Sequence, residues 1–368
     1  MSSSSKFAWR ALILAAMILA LSAAPAFAQH YTRTDLTADT AATSPTAPNL
    51  DPNLVNAWGI SRSSGSPFWI SDNGTGLSTL YNGAGTPLSL VVKIPTPDGT
   101  GTSAPTGTVW NYSTTSFLLA AGKPSVFMFV TEDGTISGWN PGVSPNAVIK
   151  VNRAGKAIYK GCALAQTKDG VFLYATNFKT GRVEVFDSSF NLVRSQELEF
   201  RGDDGRFHNF VPFNIQNVGG TLVVTFARRS PGSTDEDHGA GLGFVGIYDT
   251  HLRLVSTLQH GSWFNAPWGV ALAPSDFGPF SHRLLIGNFG DGTIHAFNAF
   301  TGELVGTMLN TDGTTLAIDG LWGLSFGSGA ASSGLPTELF FSAGPNDEND
   351  GLFGKLTATT AEQLGNTE

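Results

Sequence analysis

Short apolar runs recur along the chain, and several end in an aromatic residue followed by Asn, Asp or Gly. Upstream of each such pair lies a second apolar segment, and the segment centres are 52, 52, 51, 55 and 54 residues apart. A regular period of this size, built from short strands and turns, is typical of β-propeller blades. The pairs are Tyr81-Asn82, Trp139-Asn140, Phe186-Asp187, Tyr248-Asp249, Phe297-Asn298 and Phe353-Gly354, and the centres are Trp58, Trp110, Cys162, Phe213, Trp268 and Trp322.

The fifth repeat shows the plan of one blade. We predict its strands at residues 266–272, 283–288, 293–298 and 304–309, separated by turns in which Gly, Asp and Asn tolerate tight reversals. The third repeat follows the same plan, with strands at 161–164, 171–176, 182–186 and 192–198. These strands are apolar on both faces, which is expected of a sheet that packs between two neighbouring sheets. Glycines in the first strands suit a crowded centre where backbones converge.

The sixth repeat lacks one strand, since only the segments at 321–326, 338–342 and 351–357 have strand character. A free strand is predicted at 31–37, and we expect it to complete the last blade and close the ring, which removes exposed sheet edges. A single blade cannot bury its faces alone, so the blades form one domain. The sequence therefore predicts an all-β, six-bladed β-propeller over residues 29–358, followed by a polar, disordered tail at 359–368.

The first residues have the pattern of a secretory signal peptide. Lys6 and Arg10 precede an apolar run at 11–23, and Ala26-Phe27-Ala28 forms a small-x-small cleavage site. The apolar run is short for a membrane span, although an uncleaved anchor is the alternative. We therefore expect residues 1–28 to be a signal peptide and the mature chain, without a transmembrane segment, to be periplasmic or extracellular.

Charge and cysteine content narrow the range of partners. The formal charge of −8 becomes −10 when Lys6 and Arg10 leave with the leader. An acidic chain without a basic run repels phosphates, so nucleic acid is not expected to be a partner. The single cysteine, Cys162, cannot form an internal disulfide, and its apolar surroundings predict a buried small hydrophobe.

The alternating strand direction predicts which end of the propeller carries a site. The start of each first strand and the loop between the second and third strands lie at the same end, and loops on a rigid scaffold are the usual place for binding residues. The alternative is that these residues are ordinary turn formers, and the opposite end is expected to be structural. The ligand-binding candidates at the loop-rich end are Asn56, Asp72, Asn73, Glu132, Asn177, Arg228, Asn288 and Asn346.

The long loop of the fourth repeat, residues 227–243, carries Asp235, Glu236, Asp237 and His238 in succession. Long loops within compact domains tend to be functional or disordered. Carboxylates with a histidine predict a divalent cation site, for calcium for example, at Asp235, Asp237 and His238. The alternative is a solvated acidic loop, because the spacing is not that of an EF-hand. No known catalytic motif occurs, and no catalytic residue is singled out.

The chain also resembles a known family. The motifs are Asn56-Ala57-Trp58-Gly59-Ile60, Asn265-Ala266-Pro267-Trp268-Gly269-Val270, Gly287-Asn288-Phe289-Gly290-Asp291-Gly292, Asp319-Gly320-Leu321-Trp322-Gly323-Leu324, Phe341-Ser342-Ala343-Gly344 and Gly351-Leu352-Phe353-Gly354. They are similar to those of an uncharacterised family of exported bacterial six-bladed propellers, some with a C-terminal Pro-Glu-Pro sorting tail (PEP-CTERM). The polar segment at 359–368 leads us to expect no such tail here. The family implies a fold and a compartment and no activity.

A more distant resemblance is to NHL and gluconolactonase-type propellers. It implies a divalent ion over the central channel, held by a Glu and by Asn or Asp residues, and Asn177 and Asn288 fall in suitable loops. Asn53 and Asn56 stand where that group has its Glu.

Two main functions follow from these observations. The first is a binding or scaffold protein that recognises a small molecule, a glycan or an envelope protein at the loop-rich end of the central channel. The second is a divalent-metal-dependent hydrolase of lactone or ester type, in which the ion activates water. A purely structural matrix protein is a third possibility.

The leader generates the first prediction. When the full chain is expressed in a Gram-negative host, we expect cleavage after Ala28, because the small side chains at 26 and 28 fit a signal peptidase site. The exported protein should then begin at Gln29, as measured by its intact mass. Replacing Ala28 by a bulky residue should block processing, and cell-associated, full-length protein from the unaltered chain would contradict the prediction.

Overall fold

The structure is a computed structural model, and it describes residues 30–198 and 209–359. The predicted signal peptide at 1–28 and nearly all of the tail at 359–368 lie outside the described residues. Within them, the only helix is a single 3-10 turn, Gly278–Phe280, and no helix is long and apolar enough to cross a membrane.

The remaining elements are short strands. In chain order they are β1 (Tyr31–Ala38), β2 (Asn49–Leu50), β3 (Ala57–Ser61), β4 (Phe68–Asp72), β5 (Leu77–Tyr81), β6 (Val92–Lys93), β7 (Pro105–Trp110), β8 (Leu118–Ala120), β9 (Lys123–Pro124), β10 (Phe127–Thr131), β11 (Thr135–Trp139), β12 (Val148–Asn152), β13 (Tyr159–Thr167) and β14 (Gly170–Asn177). They continue with β15 (Arg182–Phe186), β16 (Leu192–Glu197), β17 (Phe210–Val218), β18 (Thr221–Arg228), β19 (Gly243–Tyr248), β20 (Leu254–Thr257), β21 (Pro267–Leu272), β22 (Arg283–Asn288), β23 (Ile294–Asn298), β24 (Leu304–Thr307), β25 (Leu321–Phe326), β26 (Leu339–Ala343) and β27 (Leu352–Ala358).

These strands form six radial sheets, which confirms the predicted six-bladed propeller. From the axis outwards, blades one to six are β3-β4-β5-β6, β7-β10-β11-β12, β13 to β16, β17 to β20, β21 to β24, and β25-β26-β27-β1-β2. The small hairpin β8-β9 is an insertion in blade two. Each first strand contacts the first strand of the next blade, and β25 contacts β3, so the inner strands make a closed ring.

The last blade is closed as predicted. Strand β1 pairs antiparallel with β27, from Tyr31 opposite Ala358 to Ala38 opposite Leu352. Tyr31 packs against Phe277 at 4.9 Å and its hydroxyl donates to the Phe277 carbonyl at 3.0 Å, which ties this strand to blade five. The sheet also has an unpredicted fifth strand, β2, which pairs parallel with the end of β1.

The inner strands share an irregularity in pairing, and it shows that two of the predicted repeat centres are misplaced. In each first strand the pairing register shifts near its start, as at a β-bulge. The apolar centres assigned to blades two and three, Trp110 and Cys162, lie beyond this shift, because side-chain hydropathy does not report backbone register. The equivalent positions in blades one to six are Trp58, Thr106, Lys160, Phe213, Trp268 and Trp322.

Five of these six residues are followed by glycine, and the crowding at the axis explains why. A Cβ on Gly59 would lie 2.3 Å from the Thr106 carbonyl oxygen, and one on Gly107 would lie 2.7 Å from the Cys162 nitrogen. No side chain fits between backbones this close. In blade four the position is Asn214, whose amide donates to the Trp268 carbonyl at 2.8 Å and so joins two blades.

The closing strand yields the second prediction. Tyr31 is 1% exposed, so Tyr31→Ala should lower the free energy of unfolding by about 3–5 kcal/mol through lost burial and the cavity left behind. Thr34→Ala, on an exposed position of the same strand, should change it by less than about 0.5 kcal/mol. Urea unfolding followed by tryptophan fluorescence measures both variants. Equal stability of the two variants would show that β1 does not close the ring.

Candidate functional site

An aromatic cluster blocks the central channel where the inner strands shift register. The indoles of Trp58 and Trp322 stack at 3.6 Å, and Phe289 stacks on the other side of Trp322 at 3.8 Å. Trp268 meets both indoles edge-on, at 6.1 Å from Trp58 and 5.8 Å from Trp322. Bulges re-aim side chains, and here they turn side chains from several blades towards one point on the axis.

A hydrogen-bond network covers this cluster at the loop-rich end. The side-chain oxygen of Asn56 accepts from the indole nitrogens of Trp58, at 2.9 Å, and Trp322, at 3.0 Å. The Asn56 amide donates to Glu348 Oε2 at 2.5 Å and, at 3.3 Å, to Asn73 Oδ1. Asn56 therefore fixes the orientation of two stacked rings and of one carboxylate.

Lys160 lies at the centre of the site and is 1% exposed. Its ammonium group lies 2.9 Å from Glu132 Oε1, 3.0 Å from Asp235 Oδ1 and 3.4 Å from Glu236 Oε2. It also lies over three rings, at 5.2 Å from Trp58, 5.3 Å from Phe178 and 5.9 Å from Phe213, which are cation–π distances. Three carboxylates from blades two and four and three aromatic faces thus surround one cation, and we call this arrangement the cation cup.

The electrostatics of the cup keep Lys160 charged. Burial alone lowers the pKa of its amine, but Glu236, Glu132 and Asp235 outweigh burial and raise that pKa above its ordinary value. Burial acts to raise the pKa of the Glu236 carboxyl, but the Lys160 charge and a contact from His238 act in the opposite direction and prevail. The net pKa of Glu236 is therefore below its ordinary value. Lys160 is consequently an ammonium donor at neutral pH and has no free lone pair for nucleophilic attack.

Two further groups next to the cup have shifted pKa values. Burial raises the pKa of Glu348, with smaller contributions in the same direction from Glu236 and Glu132. The pKa of His238 is raised mainly by its contact with Glu236. Both shifts favour the protonated form, so Glu348 and His238 hold a proton more readily here than as free side chains.

Backbone strain is concentrated at the same mouth. Among the described residues, ten positions other than glycine have a positive φ, and six of them lie here. Three are consecutive, Asn346, Asp347 and Glu348, with φ of 58°, 49° and 65°. Left-handed conformations cost about 1–3 kcal/mol each and tend to cluster at functional sites. The other three are Asn56, Asn209 and Ala266.

The structure brings together three of the eight predicted ligand-binding residues. Asn56 bonds to Asn73, and the Asn73 amide donates to Glu132 Oε2 at 3.0 Å, so these side chains form one chain of contacts leading to Lys160. Asn346 lies on the exposed rim, where its backbone N–H donates to Asp319 Oδ2 at 2.9 Å.

Three other predicted residues are fully buried and hold turns. Asp72, Asn177 and Asn288 each end the second strand of their blade. Asp72 Oδ2 accepts from the Thr79 N–H at 2.9 Å, and burial raises the pKa of this carboxyl well above its usual range. Asn177 Oδ1 accepts from the Ile158 N–H at 3.2 Å, and Asn288 donates to the Trp263 carbonyl at 2.7 Å. Their side chains serve the backbone, as the turn-former alternative expects.

The predicted metal ligands of the blade-four loop have different partners. Asp235 contacts Lys160, while Asp237 pairs with Arg228 at 3.1 Å and accepts from Ser230 at 3.0 Å. His238 faces Glu236 at 3.7 Å and meets the Phe289 ring at 5.0 Å. In the described ranges no group of three or more His, Cys, Asp and Glu side chains converges on a metal position. Arg228 thus holds the base of the loop, and Asp235 and Glu236 reach the axis.

Sequence reasoning did not select Lys160, Glu236, Glu348 or the stacked tryptophans as site residues. An alignment of the repeats on their glycines would have revealed Lys160, because Lys160-Gly161 occupies the position of Trp58-Gly59, Trp268-Gly269 and Trp322-Gly323. Centring the third repeat on Cys162 hid this substitution. Cys162 itself is buried as expected, and burial raises the pKa of its thiol.

Comparison with known proteins identifies relatives. The chain is 32% identical over 326 residues to the uncharacterised protein R648 of Acanthamoeba polyphaga mimivirus, covering 84% of this chain and 76% of that protein. It is 31% identical over 322 residues to the uncharacterised protein L690 of the same virus, covering 84% of this chain and 82% of that protein. The chain belongs to the family of these proteins. The relatives are viral and of unknown function, so the resemblance to bacterial propellers with a sorting tail is not supported. No family model matches the chain.

Solved structures confirm the propeller fold. A streptogramin B lyase structure superposes with a TM-score of 0.51, covering 90% of this chain and 99% of that chain, at 13% sequence identity. Identity this low supports the fold alone.

The cation cup generates the third prediction. Lys160→Met leaves the buried Glu236 without its cation, so we expect the free energy of unfolding at pH 7 to fall by about 3–5 kcal/mol. Folding lowers the pKa of Glu236, so this carboxylate stabilises the folded state above its ordinary pKa of 4.5, and the stabilisation is lost as pH falls below that value. Folding raises the pKa of Lys160, so the stabilisation from this ammonium group is complete below the ordinary pKa of 10.5. In the variant, burial without Lys160 favours the protonated Glu236 carboxyl, so the difference between wild type and variant should be largest above neutral pH and should shrink as pH falls.

The control for this experiment is Lys168→Met, which removes an exposed lysine paired with the exposed Asp169. This change should alter stability by less than about 0.5 kcal/mol at every pH. Urea unfolding across the pH range measures both variants. A Lys160→Met effect that does not depend on pH would mean that lost packing, and not charge, explains the destabilisation.

Proposed function

We propose that this chain is a binding protein that captures a positively charged group, a primary ammonium or a guanidinium, at the loop-rich mouth of its propeller. The observation that carries the proposal is the cation cup, in which Glu132, Asp235 and Glu236 converge with three aromatic faces on one ammonium group. Convergent carboxylates and ring faces are the chemistry by which proteins recognise organic cations.

The charge balance of the mouth supports binding of a second cation from solvent. Lys160 offers one positive charge to Glu132, Asp235, Glu236 and the nearby Glu348. Arg229, whose guanidinium lies 5.7 Å from the Phe178 ring, adds a second, so the four carboxylates outnumber the two cations. The Asp235 side chain is 70% exposed and that of Glu132 is 24% exposed, which leaves carboxylate surface accessible from outside. A mouth in which carboxylates predominate attracts cationic ligands before contact.

The strained rim adds support for a binding role. The left-handed segment at Asn346, Asp347 and Glu348 aims a carboxylate at Asn56, which in turn orients the stacked indoles. Preorganisation of this kind lowers the entropy lost on binding. A small molecule or a basic side chain of a peptide or envelope protein fits this chemistry better than a neutral glycan does.

The metal-dependent hydrolase hypothesis has less support. It requires three or four donors converging on one point, and the three proposed loop donors have separate partners in Lys160, Arg228 and Glu236. As for location, we propose export to the periplasm or outside the cell, on the basis of the leader pattern at residues 1–28.

Calorimetric titration with organic cations provides the test. We expect spermidine and n-butylammonium to bind the purified protein, and the uncharged 1-butanol not to bind, with affinity that falls as salt rises. Glu132→Gln should weaken binding about tenfold, because a charge-assisted contact at a half-buried site is lost. Asp235→Asn should weaken it roughly two- to fivefold, because this carboxylate is more exposed and screened. Asp169→Asn, which neutralises an exposed carboxylate on another turn, is the matched control and should bind as wild type does.

Chemical rescue gives an independent measure of the same site. In Lys160→Ala the cup loses its internal cation, and n-butylammonium should restore part of the lost thermal stability, whereas 1-butanol should not. If the Glu132 and Asp235 substitutions leave cation affinity unchanged and the amine does not stabilise Lys160→Ala, the cation cup is a structural charge cluster and not a binding site.

A further inference from the structure

The opposite mouth of the propeller also contains a cavity, although the sequence analysis expected that end to be structural. The cavity has a volume of about 330 Å³ and is formed by the inner strands of blades one to four beyond their bulges. This volume lies within the range of small-ligand pockets, roughly 300–1,000 Å³. The lining residues that matter below are Arg62, Trp110, Tyr112, Gln216 and Asn217.

The two mouths are separated. Between them the channel narrows to a space of only about 10 Å³ beside Gly59, Gly107 and Gly323, which is no larger than one water molecule needs. The stacked indoles of Trp58 and Trp322 close the channel above this space. A molecule in the opposite mouth therefore cannot reach the cation cup, and the two sites can be tested independently.

The charge of the opposite mouth differs from that of the cup. Among the described residues, those that line this cavity include no carboxylate. The one charged side chain among them, Arg62, uses three of its five N–H groups to donate to the carbonyls of Ser63, Phe326 and Gly327. A cavity of this kind favours a neutral ligand over a cationic one, because no carboxylate in its lining would compensate the desolvation of a cation.

Two aromatic rings form a corner at the edge of the cavity. Trp110 and Tyr112 meet with centroids 6.2 Å apart and planes at 67°, and Tyr112 is 40% exposed. Tyr112 follows the end of β7 and is therefore placed at the rim. Exposed rings presented at a corner offer a flat apolar face to one side of a ligand and an edge to the other.

The cavity also carries polar groups without protein partners in the part of the chain that the structure describes. The indole N–H of Trp110, the hydroxyl of Tyr112 and the carboxamide of Gln216 make no hydrogen bond there. The contrast with Trp58, Trp268 and Trp322 is clear, because each of those indoles donates to a protein acceptor. The neighbouring Asn217 is fixed by bonds to Leu164 and Gly220, so it shapes the wall.

We propose that this opposite mouth binds a neutral sugar residue, either a free monosaccharide or one unit of a glycan. A sugar ring has an apolar C–H face, which stacks on an aromatic ring, and a rim of hydroxyl groups, which exchange hydrogen bonds with an amide, an indole N–H and a phenol. The carboxamide of Gln216 both donates and accepts, which matches vicinal hydroxyls. This site is separate from the cation cup and does not depend on the function proposed for it.

The test is binding of neutral sugars followed by saturation-transfer NMR and by tryptophan fluorescence. The probes are the methyl glycosides of glucose, galactose and N-acetylglucosamine, with adenosine as a flat aromatic competitor. We expect at least one glycoside to bind, Tyr112→Ala to weaken its binding about tenfold through lost ring contact, and Gln216→Ala to weaken it about fivefold through lost hydrogen bonds. Both side chains are exposed, so both variants should fold. Phe300→Ala, which removes an aromatic side chain that is 97% exposed on a turn of blade five, is the matched control and should bind as wild type does.

Three results would overturn the proposal. The first is that none of the glycosides binds, and the second is that Tyr112→Ala and Gln216→Ala leave glycoside binding unchanged. The third is that adenosine binds in preference to the glycosides and that the two variants abolish its binding. This last result would assign the cavity to aromatic ligands. Spermidine should not displace the sugar. Glu132→Gln should leave sugar binding unchanged, so failure of the cation cup and failure of this site give different results.

Discussion

The convergence of six inner strands on one axis is the constraint on which the rest of this molecule depends. Backbones approach so closely there that a Cβ on Gly59 would collide with the Thr106 carbonyl. The register shift in each inner strand, at a residue followed by glycine in five blades, relieves this crowding. It also turns the residue before the glycine into the axis, so six positions in the chain determine what fills the channel.

The chemistry of the channel follows from which residues occupy those positions. Three blades supply tryptophan and one supplies phenylalanine, and these rings seal the channel. Blade three supplies Lys160, whose ammonium group cannot remain uncompensated at such depth. Glu132 and the long loop of blade four neutralise it, which explains why an acidic loop reaches across the mouth. The seal also separates the acidic mouth from an opposite mouth whose described lining has no carboxylate.

The two mouths differ because their loops have different roles. The loop-rich end combines charged side chains with six left-handed residues, and strain there is sustained by the rigid sheets behind it. At the other end the inner strands line a cavity with an aromatic corner, and some of its polar groups bond to no protein atom in the described part of the chain. A closed ring makes both arrangements possible, because β1 joins the first and last parts of the chain and leaves no blade free to move apart.

The sequence by itself determined the class of the fold, the number of blades and the strand that closes the ring. Those features depend on periodic hydropathy and on turn residues, which are local properties that a period of about 50 residues exposes. Strand bounds agree closely where turns are sharp, as in β15 and β22, and less well in β13, which extends beyond the predicted 161–164 at both ends. The metal prediction for the blade-four loop relied on residue type alone and could not include Lys160, the cation that its carboxylates contact.

Only the tertiary structure decided the site. Backbone register at a bulge is not encoded in hydropathy, so Lys160 was not recognised as the counterpart of Trp58. Asn56 and Glu348 are 292 residues apart, and Lys160 and Glu236 are 76 apart, so no local pattern could pair them. Whether a polar turn residue binds a ligand or only its own backbone depends on burial and partners. Glu132 is partly exposed and contacts Lys160, whereas Asp72 is buried and accepts from the Thr79 N–H. The burial and the partners of each residue are set only when the blades pack around one axis.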